Sequence, residues 1–384
     1  MTNSDTQAIR AYPSDIPALT SLRFVAAIWV VLFHYVWWLT PPGAPLLQIP
    51  ILAEGDLAVD FFFILSGFIL THAHRRELAE GRLRLRRFYA KRLARIYPLH
   101  LATLLFYLAL VAATSLAGLT LPNPERYSPV QFVLNLGLVH AWQAQDAAAW
   151  NFPSWSISAE WTAYMLFPLL TAWLLGRMRG ISAATCLFAA AVLLFAMAAA
   201  AEPLLGFPFF SLHSNFGWYR ILPEFILGIA MYRFGAAGPV AILCRKWVLG
   251  LIPVLILITA ALQWRISCVF LLALLILAVA EAARGADGSA RAGVLRFLTG
   301  PLAVYGGTIS FALYMVHIPV ATAVFKSAEM LAGPVRWWMI PFAMVLAVVA
   351  AMLAHHLIEQ PAYRWLSRRL AGEEIAPNLA MERR

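Results

Sequence analysis

Few side chains in this sequence can do chemistry, and most of those that can lie inside long apolar runs. Arg23 and His34 share the first run, eleven residues apart. Three helical turns, a rise of about 16 Å, put them on one face. An imidazole deep in a bilayer suits a general base. An arginine nearer the membrane edge suits the anionic end of a long ligand. The plainer alternatives are an arginine at the headgroup level and a histidine tying two helices together. Asp60, beside Phe61, Phe62 and Phe63, could orient that imidazole, pair with an arginine or cap a helix. In the stretch Asn151 to Glu160, Pro153 with Ser154 or Ser156 fits a helix start. Ser156 and Glu160 then face the same way. Glu160 suits a base, an orienter of His34 or a substrate ligand, with a capping role as the alternative. Trp155 and Ser156 are neighbouring candidates for substrate contact.

Arg220 and Glu224, also four apart, read as an internal ion pair or as further substrate contacts. Ser310, Tyr314 and His317 make a polar stripe at i, i+4 and i+7. Ser310 could contact substrate, and Tyr314 or His317 could donate to an oxyanion. The same stripe could simply hold helices together. Arg92 and Arg95 place two guanidinium groups on one helical face, a geometry for phosphate or for lipid headgroups.

These groups need helices to carry them. Of the 384 residues, 62% are hydrophobic and 12% charged, against about 45–50% and about 25% in soluble domains. The mean hydropathy of +0.74 calls for lipid around the chain. This excludes a soluble enzyme, a disulfide scaffold and a disordered chain. Ten apolar runs, near 19–40, 57–73, 97–118, 155–176, 181–201, 216–234, 247–262, 266–283, 301–325 and 337–358, predict an all-α bundle of about ten transmembrane helices.

Basic residues favour cytoplasmic loops, and nine of them lie between Arg75 and Arg95. Alternation from there puts both termini in the cytoplasm, provided the short run at 130–142 is re-entrant or interfacial. The expected organisation is a cytoplasmic tail at 1–18, a membrane domain at 19–365 and a second tail at 366–384. The net charge of +10 thus reads as sidedness and gives no reason to expect nucleic acid. Cys186, Cys244 and Cys268 are scattered, and no metal motif is present.

Seven pieces, in this order, resemble the membrane-bound acyltransferase-3 family of O-antigen and exopolysaccharide O-acylases. They are Leu22-Arg23 with ten residues to His34; Val59-Asp-Phe-Phe-Phe-Ile-Leu-Ser-Gly-Phe68; Arg92-Leu-Ala-Arg95-Ile-Tyr-Pro98; Trp155-Ser-Ile-Ser-Ala-Glu160; Phe225-x-x-Gly228; Gly307-Thr-Ile-Ser-Phe-Ala-Leu-Tyr-Met-Val-His317; and Ile358-Glu-Gln-Pro361. Phe311 and Gln360 depart from the residues common in the family, and neither change removes a catalytic group.

The resemblance implies a ten-helix core, an acyl-CoA donor (acetyl-CoA first) bound from the cytoplasm and a glycan or lipid-linked saccharide acceptor at the outer face. It places the family's Arg-x10-His on Arg23 and His34 and its Arg-x-x-Arg on Arg92 and Arg95. Some relatives add an extracellular esterase-like domain; here the expectation is that this chain completes the transfer itself. The expected location is the bacterial inner membrane, with lipids as partners and homodimerisation left open. The rival reading is a proton-coupled secondary transporter, since internal Asp, Glu, Arg and His also suit a carrier. A transporter would often show inverted repeats, and none is evident between the halves.

Overall fold

The structure is a computed structural model. It describes residues 12–39, 49–119, 124–143, 150–178, 180–284, 294–333 and 335–371. Most of the expected N-terminal tail and residues 372–384 lie outside these, as do Arg10, Arg179, Arg291, Arg383 and Arg384.

All regular structure among the described residues is helical. In order the helices are α1 (Pro17–Leu39), α2 (Pro50–Ala53), α3 (Leu57–Ala73), α4 (Arg75–Ala79), α5 (Leu85–Leu116), α6 (Pro129–Leu136), α7 (Trp155–Thr171) and α8 (Ala183–Leu205). They continue with α9 (Gly217–Ala237), α10 (Lys246–Ala261), α11 (Arg265–Arg284), α12 (Val294–Leu298), α13 (Pro301–Ala332), α14 (Met339–Ala354) and α15 (Gln360–Ala371). A π-helical turn, His355–Glu359, joins α14 to α15.

Six helical stretches are long and apolar enough to cross a membrane, and α3 and α10 are shorter apolar helices. The chain is a multi-pass membrane protein. Helices α7 and α9 are less apolar because each buries polar side chains against its neighbours, Ser156 and Ser158 on α7 and Arg220 and Glu224 on α9. At 32 residues α5 is about 48 Å long, more than the roughly 30 Å of hydrocarbon, so its arginine-rich first turns extend past the lipid. Helix α6 begins at Ser128, whose hydroxyl accepts from Gln131 N–H at 3.2 Å. With eight residues, about 12 Å, it is too short to cross.

Apolar burial between helices gains little in lipid, so close backbone approach and polar contacts hold the bundle. Helices α3 and α9 meet at Gly67 and Gly228. A Cβ at Gly67 would collide with the Phe225 carbonyl, and one at Gly228 with the Ile64 carbonyl. Gly228→Ala is expected to push the pair apart at a cost of about 1–3 kcal/mol, the range for overpacked cores. A lower melting temperature in detergent would register it; an unchanged one would show that the contact is not tight.

Candidate active site

Two adjoining clefts enter the bundle between α1, α3, α5, α7 and α13. The inner one is lined by Phe62, Ser66, Ser156, Glu160, Tyr164 and Tyr314 among others. The outer one reaches Ser14, Asp15, His72, His355 and Tyr363. Arg23, Arg92 and Arg95 line both, so three guanidinium groups ring the junction. Arg23 comes from α1, while Arg92 and Arg95 come from the first turns of α5, three residues apart and therefore on one face.

Each arginine of the α5 pair is propped. Arg92 lies over the Tyr164 ring at 5.9 Å, and its buried Nε finds no hydrogen-bond partner among the described residues. Such an orphan donor is open to an acceptor. Arg95 lies over Phe311 at 5.2 Å and forms an ion pair with Glu359. Glu359 also binds His355 Nδ1 at 2.9 Å, and both belong to the π-helical turn, a feature frequent at functional sites. Glu160 projects into the inner cleft, where Ser66 Oγ donates to its Oε1 at 2.9 Å and Tyr164 Oη at 2.5 Å.

Beyond the inner end of the cleft lies a histidine pair. His317 Nδ1 is 2.6 Å from the Tyr314 carbonyl, so Nδ1 carries the proton and Nε2 its lone pair. His34 Nδ1 is 3.2 Å from that Nε2 and 2.8 Å from the Val30 carbonyl. Both partners accept, so His34 Nδ1 donates to both. The remaining His34 nitrogen, Nε2, then holds a lone pair, as a general base requires. Tyr314 stands between the cleft and this pair, its ring 5.8 Å from that of His317 and 6.4 Å from that of Phe62. Its hydroxyl donates to the Pro153 carbonyl at 2.9 Å and accepts from Ser156 Oγ at 2.8 Å. Ser310 turns back on its own helix, donating to the Gly307 carbonyl at 2.8 Å.

Asp60 and Arg220 form a separate centre, at the end of α3 away from the cleft mouth. Arg220 Nε and Nη2 donate to the two Asp60 oxygens at 2.9 and 2.6 Å, and Nη1 to the Phe210 carbonyl at 2.9 Å. Asp56 extends the network to Arg265, which also faces Glu54 at 3.3 Å. Trp155 adds a ring face 5.7 Å from the Arg220 guanidinium.

The structure therefore groups the sequence candidates differently from their spacing alone. Arg23, Arg92, Arg95, Glu160, Ser156, Ser310 and Tyr314 share one cleft. His34 takes its orientation from Val30 and His317, not from Glu160 or Asp60. The tyrosine proton is committed to Pro153. Arg220 bonds to Asp60 across two helices and not along its own to Glu224, which is buried beside the same Asp60 carboxyl. Glu359, which the sequence offers only within the piece Ile358-Glu-Gln-Pro361, holds Arg95. Its acidic charge in an apolar run was the signal available for it.

The helical membrane bundle thus holds an arginine-ringed cleft with a lone-pair histidine beyond its end. The family described as "Acyltransferase domain" matches residues 16–356. The chain belongs to this acyltransferase-3 family and is an acyl-transferring enzyme. It is 32% identical to Acyltransferase MdmB of Streptomyces mycarofaciens, over 92% of this chain and 93% of the relative. It is also 34% identical to Protein 2 in picA locus of Rhizobium radiobacter, over 29% of this chain and 53% of that protein. No solved structure matches.

Proposed function

We propose that the chain moves an acyl group, acetyl first, from cytoplasmic acyl-CoA to a hydroxyl of a glycan or lipid-linked saccharide on the far side of the bacterial inner membrane. The observation that carries this reading is the ring of Arg23, Arg92 and Arg95 at the junction of two clefts whose inner end is walled by Tyr314, next to His34 and His317. Paired guanidinium groups bind phosphates bidentately, and the rise of about 16 Å from Arg23 to His34 suits an extended thioester arm. In this topology both termini are cytoplasmic and ten segments cross: α1, α3, α5, α7, α8, α9, α10, α11, α13 and α14. The membrane domain runs over 19–365, with the basic flank of α4 and α5 marking the cytoplasmic side.

In the reaction the acceptor oxygen attacks the thioester carbonyl while its proton passes to His34 Nε2. The carbon–sulfur bond breaks, the thiolate takes that proton, and the products are an O-acyl ester and free coenzyme. His317 and Val30 keep the His34 lone pair facing away from their own acceptors. Glu160, near Arg23 in the cleft wall, positions the donor. Tyr314 closes the cleft from the histidines, so the thioester passes beside its ring.

The test is acyl transfer by the purified chain in proteoliposomes, followed as release of free thiol from acetyl-CoA. Arg92→Ala is expected to raise the KM for acetyl-CoA by about 10- to 100-fold, since hydrogen bonds to charged groups contribute about 1.5–3 kcal/mol. An unchanged KM would remove the phosphate role of the arginines. Movement of a solute without consumption of acetyl-CoA would replace the reading with transport.

A further inference from the structure

His213 belongs to none of the groups above and was not a candidate from sequence. It lies in the short connection between the turn Phe209–Ser211 and α9, at the end of the bundle that carries Asp56 and Arg265. A run of ring contacts leads to it from the reaction centre. The His34 ring meets Phe152 edge-on, at 5.9 Å and 76°. Phe152 meets His213 at 5.7 Å and 76°. Trp155 also meets His213, at 6.1 Å and 60°. His34, already paired with His317, is thus one ring removed from a third imidazole, on the side away from the three arginines.

The protonation pattern of His213 is defined by a neighbour. Ser214 N–H donates to its Nδ1 at 3.0 Å, so Nδ1 holds the lone pair and Nε2 carries the proton. Burial first, and the Arg220 guanidinium second, hold its pKa below the ordinary histidine value, which keeps the ring neutral. The ring is half-buried, and no hydrogen bond from Nε2 is found among the described residues. It offers one oriented N–H beside the aromatic ring of Phe152. One donor next to a flat apolar surface is suited to the hydroxyls and the C–H face of a sugar ring.

The two connections that bring Phe152 and His213 together are both strained. Trp150, two residues before Phe152, has φ 51°, and Phe216, three residues after His213, also has φ 51°. Bulky residues rarely occupy this left-handed region, and strain of this kind gathers at ligand clamps. Asn151 Nδ2 adds a hydrogen bond to the Met315 carbonyl at 3.1 Å, tying the first connection to the helix that carries His317.

We propose that His213 binds the acceptor, its Nε2–H donating to a hydroxyl of a glycoside whose ring lies against Phe152 and whose reacting oxygen reaches His34. The proposal rests on the acyl-transfer reading given above.

The test uses the full chain in proteoliposomes, acetyl-CoA and a panel of octyl glycosides of glucose, galactose, mannose and rhamnose. Ester formation is measured by mass spectrometry, and acetyl-CoA hydrolysis is measured with no glycoside. His213→Ala is expected to raise the KM for the best glycoside about tenfold, the loss of one hydrogen bond. The KM for acetyl-CoA and the glycoside-free hydrolysis are expected to stay within about twofold, since ground-state donor binding is untouched. His213→Gln, which places an amide N–H at similar reach, is expected to recover most of the glycoside KM. A glycoside KM unchanged in His213→Ala overturns the proposal, as does an equal loss in the donor KM and in hydrolysis that His213→Gln does not restore. If the unaltered chain acylates no glycoside of the panel, the acyl-to-glycan reading fails and the proposal falls with it.

Discussion

His34→Ala lowers acyl transfer by about 10²–10⁴-fold, the range contributed by a positioned general base, while acetyl-CoA still binds. His317 Nδ1 is tied to the Tyr314 carbonyl, which leaves its Nε2 to accept from His34. Val30 fixes the same His34 nitrogen as a donor. The only nitrogen left to take a proton from a hydroxyl is His34 Nε2. Of the three arginines that would hold the donor's phosphates, Arg23 is about 16 Å from His34 along α1 and the other two lie on α5, so donor affinity is expected to stay within about twofold. His34→Gln retains a side chain of similar reach but has no basic nitrogen, and is expected to be as inactive as alanine. Donor binding by calorimetry, together with turnover in the same preparation, separates the two roles. Full turnover in His34→Ala with normal donor binding would remove the base from the mechanism.

Asp60→Ala is expected to destabilise the folded bundle by about 3–5 kcal/mol, the cost of leaving one partner of a buried pair unpaired. Asp60 is 0% and Arg220 1% exposed, so no water compensates a lost contact. The fork of Arg220 fits both carboxylate oxygens, and its third nitrogen is fixed by the Phe210 carbonyl. The double change Asp60→Leu with Arg220→Met removes both charges and is expected to recover much of the loss. Thermal unfolding in detergent, read with size-exclusion profiles, distinguishes the two outcomes. Equal damage from the single and double variants would mean that the pair is held for its shape and not for its charge.

Local spacing told much of this in advance. The helical period placed Ser310, Tyr314 and His317 on one face, and Arg23 with His34 on another. Hydropathy found the apolar helices, and the eight-residue α6 is as short as its run of apolar residues suggests. What spacing could not tell is which faces meet. His34 and His317 are 283 residues apart, and Asp60 and Arg220 are 160 apart. A four-residue spacing suggested Arg220 with Glu224, yet a bidentate carboxylate on another helix is the stronger competitor for a planar guanidinium. Pro361, two residues after Glu359, favours a helix end at this point. The chain instead inserts a π turn there and runs on into α15, which carries Glu359 inward to Arg95. His213 escaped notice because a lone histidine in a connecting loop has no period to betray it.

The ion pair between α3 and α9 also bears on how the protein is made. Asp60 precedes Arg220 by 160 residues. At roughly 5–20 residues per second, α3 leaves the ribosome about 8–30 s before its counter-ion is synthesised. Five further helices of the described chain, α4 through α8, are made in that interval. A carboxylate at that depth is costly in lipid alone, so α3 waits without its counter-charge until α9 arrives. Translation thus sets the earliest moment at which this part of the bundle can close.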